Sequence, residues 1–220
     1  MNSLTGPGGR LDDRVYESMR DMIVSRRLPA GELVNQSRVS AELGVSRTPL
    51  RRAMARLESE GLLVRGEGGW YVQNFTSAEM ASIFEIRAVL EGLGCRLAAP
   101  LIGRDRLAAL EVMFEEAMAA YREGDVDAYY QADLRFHREL LQASGDSVLI
   151  STTESHQILS NSLARGLYRD PEETFTEHLA IIEALRSRDQ DLAEDLMRGH
   201  IRRAVPNILA DRLIVPNAAR

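Results

Sequence analysis

From Ser77 onward the chain has only one periodicity. Apolar side chains recur at three- and four-residue spacing, which marks helix faces, and no run alternates as a strand would. Helices are expected at about 77–98, 104–122, 126–143, 147–167, 172–187 and 190–210. The breaks between them are short: Pro100-Leu101-Ile102-Gly103, Gly124-Asp125, Ser144-Gly145-Asp146, Arg169-Asp170-Pro171 and Ser187-Arg188-Asp189. Three of these combine a helix-ending glycine or proline with an aspartate that can cap the next helix. Ser77 with Glu79 opens the first helix in the same manner. Six helices joined so closely pack as an antiparallel bundle.

The first 75 residues follow a different pattern. Leu11, Val15, Met19, Met22 and Ile23 define an amphipathic helix over 11–27, stopped by Leu28-Pro29-Ala30-Gly31. A short helix from about Ser37 to Leu43 ends at Gly44. Ser46 is placed to cap a third helix, with Pro49 in its first turn and Leu50, Met54 and Leu57 on one face, ending at Gly61. Leu62-Leu63-Val64 and Trp70-Tyr71-Val72, around a glycine-rich turn, read as a hairpin. Helix, helix, turn, helix, hairpin is the order of a winged helix-turn-helix, and the third helix would enter the major groove of DNA. The fold class expected is mainly α: this N-terminal module, then an all-α six-helix bundle.

Charge tests that expectation. The net charge of −6 argues at face value against a nucleic-acid partner. Residues 1–75, however, hold 11 arginines and nine acids, whereas residues 76–220 hold 16 arginines and 24 acids. Residues 38–56 alone carry Arg38, Arg47, Arg51, Arg52 and Arg56 against the single acid Glu42. Arg47, Thr48 and Arg51 fall on the first turns of the third helix, where an arginine can grip guanine with two hydrogen bonds. Arg52 and Arg56 face phosphates or their own acids. There is no lysine in the chain. That suits forked recognition, but it extends through the acidic bundle as well, so coding bias explains it equally. Cys95 is the lone cysteine, which excludes an internal disulfide and suits the reducing cytoplasm. No apolar run approaches the ~20 residues of a membrane span, and the first residues lack the apolar stretch of a secretory signal.

The bundle contains all four histidines: His137, His156, His178 and His200. Asp133 and His137 are four apart and project from one helix face; His178 and His200 lie on two later helices. One carboxylate and three imidazoles can meet inside a bundle and hold a divalent metal, with zinc first and nickel, iron or manganese also compatible. Taken singly, each histidine is more simply a partly buried helix residue bonded to a neighbour.

The segment SRVSAELGVSRTPLR at Ser37–Arg51, continued by Leu57-Glu58-Ser59-Glu60-Gly61-Leu62, resembles the DNA-binding domain of the GntR family of bacterial transcription regulators. The resemblance implies a winged helix over 8–75 in which Arg38, Ser46, Arg47, Thr48 and Arg51 meet DNA. By it, Gly68 and Gly69 form a wing tip that dips into the minor groove. Arg52 departs from the pattern, where many members carry an acid or small residue. Phe84 to Glu91, Asp133-Leu134-Arg135-Phe136-His137, Glu177-His178 and His200 resemble the FCD effector domain of the FadR subfamily, its shorter VanR-like branch, over 76–212. That resemblance implies a metal on Asp133, His137, His178 and His200, and assigns no ligand role to His156.

A metal with four protein ligands keeps positions open for a small carboxylate or hydroxy acid. Arg87 matches a conspicuous family arginine and is a candidate partner for that acid, as are Asn161 and Arg165 on the fourth bundle helix. Arg87 in a salt bridge with Glu85 or Glu91 is the competing reading. The function expected is a homodimeric, ligand-responsive regulator, a repressor rather than an activator, on an inverted-repeat duplex operator. Two rival classes are a metalloenzyme and an architectural DNA-binding protein with a structural metal. The first lacks a motif-placed general base, nucleophile elbow or phosphate loop, so no enzymatic activity is expected.

Overall fold

The computed structural model describes residues 11–154 and 167–212, which divide into two compact units at Phe75/Thr76. The N-terminal unit contains α1 (Leu11–Val24), α2 (Gln36–Leu43), α3 (Arg47–Ser59), β1 (Leu63–Gly66) and β2 (Gly69–Val72). Helix α1 ends three residues earlier than its apolar pattern suggests, and Arg26 takes a left-handed conformation just beyond it. Helix α2 is capped by Asn35, whose side chain accepts from the Arg38 amide, and Gly44 closes it at φ 67°. The sharp turn from α2 to α3 depends on that conformation, which costs glycine little. Ser46 occupies the cap position of α3 in extended geometry but makes no side-chain capping bond.

The hairpin is longer than its apolar runs. Register Leu63↔Val72 to Gly66↔Gly69 leaves Glu67 and Gly68 as the turn. A third extended piece joins it. Gly31 donates to the Val72 carbonyl, Val72 to that of Glu32, and Val34 to that of Trp70, so residues 31–34 line the outer edge of β2. Beneath this sheet, Val15, Met19, Met22, Val39, Leu50, Met54, Leu57, Leu63 and Trp70 form the core. Leu11 is exposed and lies outside it.

The second unit is helical throughout its described residues. It contains α4 (Ser77–Ala98), α5 (Arg104–Arg122), α6 (Val126–Ala143), α7 (described over 147–154), α8 (Pro171–Arg186), α9 (Gln190–Arg202) and α10 (Val205–Leu209). Thr76, not Ser77, caps α4, in a capping box with Glu79. Asp125, Asp146, Asp170 and Asp189 each accept amide hydrogens at the start of the following helix. The expected single helix over 190–210 is broken between Arg202 and Val205. Pro206 has no amide hydrogen to give the Arg202 carbonyl, and its ring crowds that turn.

Helix α4 packs chiefly on α9, and α5 lies between α6 and α8. Gly92 allows the first approach: a Cβ there would lie 2.6 Å from Arg198 Cγ and 3.2 Å from the Glu194 carbonyl oxygen. Phe114, Tyr129 and Phe136 fill the centre with Leu107, Met118, Ile181, Leu185 and Met197. This aromatic core borders the histidine cluster.

Candidate functional site

The helix periods of α6, α8 and α9 carry four ligand-bearing side chains into one place. Asp133 and His137 come from adjacent turns of α6, His178 from α8 and His200 from α9. One ligand atom from each lies within 4.8 Å of the other three. Asp133 Oδ1 is 3.2 Å from His178 Nε2 and 3.8 Å from His137 Nε2. All three imidazoles are buried. His178 stacks on Phe114 with centroids 4.1 Å apart, and its ring also meets Phe136.

Each histidine is held from behind. His137 Nδ1 lies 2.6 Å from Glu91 Oε2, although off the line of a good hydrogen bond. His200 Nδ1 lies 2.8 Å from Glu177 Oε2, and His178 Nδ1 lies 3.3 Å from the Tyr129 hydroxyl. Tyr129 is itself anchored to Thr174 at 2.9 Å. With Nδ1 engaged outside, the Nε2 lone pair of a neutral imidazole is left for the interior. Glu91 and Glu177 are in turn fixed by arginines: Arg87 donates to Glu91 at 2.7 Å, and Arg169 and Arg203 donate to Glu177 at 2.5 and 2.9 Å.

Electrostatics favour ligand-ready protonation states. Burial works against the Asp133 carboxylate, but the imidazoles of His178, His137 and His200 outweigh it and hold its pKa well below the usual range. Burial, helped by nearby His200, presses the His178 pKa down to about 3 despite Asp133. Burial also lowers His200, against the pull of Glu177. Burial penalises Glu91 and Glu177 too. Arg87 and His137 nevertheless bring Glu91 to about 2, and His200 and Arg169 bring Glu177 to about 2.

The donor set fits a divalent transition metal. Ligand atoms about 2.0–2.2 Å from one ion stand at most about 4.4 Å apart, so the cluster needs to close by only a few tenths of an ångström. His178 Nε2 is buried and makes no hydrogen bond of good geometry, a costly state for a core nitrogen unless something else satisfies it.

The other candidates are placed as follows. Arg87 is buried in α4, bonded to Glu91 one turn on in its own helix and lying over the Phe84 ring, so its salt bridge is within the helix. Asn161, Arg165 and His156 lie outside the described residues. Of the residues that set the histidines, Glu177 and Tyr129 carry no spacing signal, and Glu91 carries one only toward Arg87, four residues away.

In the N-terminal unit, Arg38, Ser46, Arg47, Thr48 and Arg51 are exposed at the α2–α3 turn and the first turns of α3. Gly68 and Gly69 sit at the hairpin tip with φ 98° and 146°. The arginines fall into two groups. Arg52 pairs with Asp12, and Arg56 with Asp13 and Glu60, while Arg27 pairs with Glu42. Among the described residues, no carboxylate lies within ion-pair range of Arg38, Arg47 or Arg51; Arg47 reaches only the Ser37 hydroxyl, at 3.3 Å. The start of α3 therefore presents uncompensated guanidinium groups, and its far end does not.

One unit is shaped for duplex DNA and the other encloses a ligand set, the two parts of a transcription regulator. Comparison with known proteins agrees. Residues 11–72 match the gntR family of bacterial regulatory proteins, and residues 82–203 match the FCD domain. The chain belongs to the GntR family of transcriptional regulators and carries an FCD domain. It is 28% identical to the transcriptional repressor RspR of Escherichia coli K12, over 89% of this chain and 87% of that one. A protein of Paenarthrobacter nicotinovorans named for repression of a D-xylose utilization operon is 31% identical over 87% of this chain and 88% of its own. Among solved structures, E. coli McbR/YncC shares the fold with a TM-score of 0.78 at 19% identity, covering 93% of this chain and 99% of that one. A GntR-type structure from Rhodococcus sp. RHA1 gives 0.74 at 21% identity, covering 95% and 99%. Among the described residues no helix is long and apolar enough to cross a membrane.

Proposed function

We propose that the chain acts as a homodimeric, ligand-responsive transcriptional repressor in the cytoplasm. The observation that carries this reading is the cluster of half-buried Asp133 with buried His137, His178 and His200. Burying these groups is expensive, and DNA binding alone would not require them. They would hold a divalent metal, zinc first and nickel, iron or manganese as alternatives. The metal would supply a Lewis-acidic seat for an oxygen of a small carboxylate-bearing effector. Arg87, set against Glu91 behind His137, is proposed as the anionic effector's cationic neighbour. Asn161 and Arg165 stay in the effector set on their sequence position in the expected fourth bundle helix alone.

On the DNA side, Arg47, Thr48 and Arg51 would reach base edges from the start of α3. Arg38 and Ser46 would meet the backbone beside it, and Gly68 and Gly69 would let the wing tip approach the minor groove. The dimer is supported by α4, where Ile86, Val89 and Leu93 form an exposed apolar stripe at helical spacing, 45%, 43% and 38% exposed. Effector binding would change operator affinity only by its differential affinity for the two dimer states.

The test begins with a duplex selected from a random-sequence pool. Arg47→Ala and Arg51→Ala should each abolish sequence-specific binding while the fold and dimer persist. Calorimetry of the metal-loaded protein against a panel of small hydroxy and sugar acids should show saturable binding, and the bound acid should release the duplex. Wild-type specificity in both arginine variants would refute the DNA assignment. A panel with no saturable ligand would favour an architectural protein with a structural metal.

A further inference from the structure

Between α3 and the hairpin runs an open groove lined by Thr48, Arg51, Arg52, Ala55, Glu58, Arg65 and Trp70. Its floor is Trp70, which is buried, faces Arg65 across the β ladder and donates from its indole N–H to Glu58 at 2.7 Å. Two guanidinium groups share that indole. Arg65 stands 4.0 Å from the ring centroid and Arg51 stands 5.9 Å away. Arg65 is exposed, and among the described residues no carboxylate pairs with it. A guanidinium held against an indole is positioned without its charge being neutralised.

Duplex geometry gives this arrangement a use. A recognition helix in the major groove and a wing in the neighbouring minor groove are separated by one sugar-phosphate strand. The groove between α3 and the hairpin has to straddle that strand. We infer that Trp70 is a platform that holds Arg65 as a clamp on a DNA backbone phosphate between the two grooves, with Arg51 on the base-reading side of the same ring. This rests on the DNA-binding reading and extends it to a residue outside the recognition helix. Arg65 would thus set the register of the wing without reading sequence, whereas Arg47 and Thr48 read bases.

The clamp is testable by salt dependence and by fluorescence, because Trp70 is the only tryptophan in the chain. The probes are a duplex selected from a random pool and a scrambled duplex of equal length. For Arg65→Ala, the slope of log affinity against log salt should fall by about one on both duplexes. Loss of one phosphate contact should also shrink the affinity ratio between 50 and 200 mM salt by about 3.5-fold. Arg65→Lys should keep the slope. Wild-type Trp70 emission should change on adding either duplex, and that change should be largely lost in Arg65→Ala. Circular dichroism melting checks that the exposed substitution leaves the fold intact.

An unchanged slope and affinity in Arg65→Ala would overturn the clamp. So would a loss confined to particular base pairs, which would make Arg65 a base reader. If the wild type binds no duplex, the DNA-binding reading itself fails and the clamp with it.

Discussion

Glu177→Gln isolates the contribution of a residue that would never touch the metal. Glu177 Oε2 accepts from His200 Nδ1 at 2.8 Å and from Arg169 at 2.5 Å, and Oε1 accepts from Arg203 at 2.9 Å. Glutamine keeps one oxygen. If that oxygen stays on His200, the amide nitrogen meets Arg203, a half-exposed side chain that can turn to water. The ring therefore stays oriented, but the negative charge that makes its Nε2 a stronger donor is gone. Loss of such an outer carboxylate lowers metal affinity by about 10- to 100-fold, or about 1.4–2.7 kcal/mol. The retained oxygen argues for the lower end of that range. Unfolding stability of the metal-free protein should fall by no more than about 1 kcal/mol, because the Arg203 pair is solvated and Arg169 keeps the retained oxygen and its pair with Glu173. Competition between the protein and a chromogenic chelator for zinc measures the first quantity, and urea unfolding in excess chelator the second. Zinc affinity within twofold of wild type would refute the claim that Glu177 acts through His200. A collapse of metal-free stability would show that it serves the fold instead.

Glu91→Gln should behave differently, because Arg87 and Glu91 are both buried; removing the negative charge of that buried pair should cost the metal-free protein up to about 3–5 kcal/mol, and urea unfolding would show it. Val89→Arg on the exposed α4 stripe should turn a dimer into a monomer by light scattering with little change in helicity; a persistent dimer would place the interface elsewhere. Gly92→Ala should destabilise the helical unit by about 1–3 kcal/mol, since the new methyl meets Arg198 Cγ and the Glu194 carbonyl; a neutral effect in thermal melting would mean that α4 and α9 part easily. Acid should destabilise the metal-free protein. The unfolded chain protonates His178 near 6.5 and the folded one only near 3, so stability drops as pH falls between those values. Glu91 and Glu177, held near 2, push the same way at lower pH, their contribution being present above about 4.5 and lost below. A melting temperature flat from pH 7 to pH 4 in chelator would contradict the histidine shift, and one flat from pH 4 to pH 2 the two carboxylate shifts.

What could be read from the sequence is what acts locally. Aspartates 125, 146 and 170 mark helix starts because a cap bonds to amides two or three residues away, and glycine or proline stands beside each. The α8–α9 turn follows the same logic with less signal, because Arg188 takes the left-handed conformation at φ 62° that glycine usually supplies. Asp133 and His137 were legible as a pair because four residues make one helical turn. Contacts made by distant packing left no such trace. Residues 31–34 add a strand to β2 through backbone bonds, with Leu33 exposed and no alternation to announce it. Tyr129 reaches His178 across 49 positions, and Glu91 reaches His137 across 46, so only the helix packing reveals them. Arg87 was ambiguous for a related reason. Its partner Glu91 is visible at four-residue spacing, but the burial that makes the pair matter is not.

The cluster in α6, α8 and α9 also bears on how the chain holds together. An ion gripped by residues 133, 137, 178 and 200 closes a loop of more than sixty residues in a protein whose single cysteine permits no intrachain disulfide. By loop-entropy reasoning, a permanent cross-link over such a span limits the unfolded ensemble by roughly 4 kcal/mol. A metal would do so reversibly, to a degree set by its free concentration. The fraction of chains surviving proteolysis would then follow metal supply, and the same residues proposed to seat an effector would meter how much regulator the cell retains.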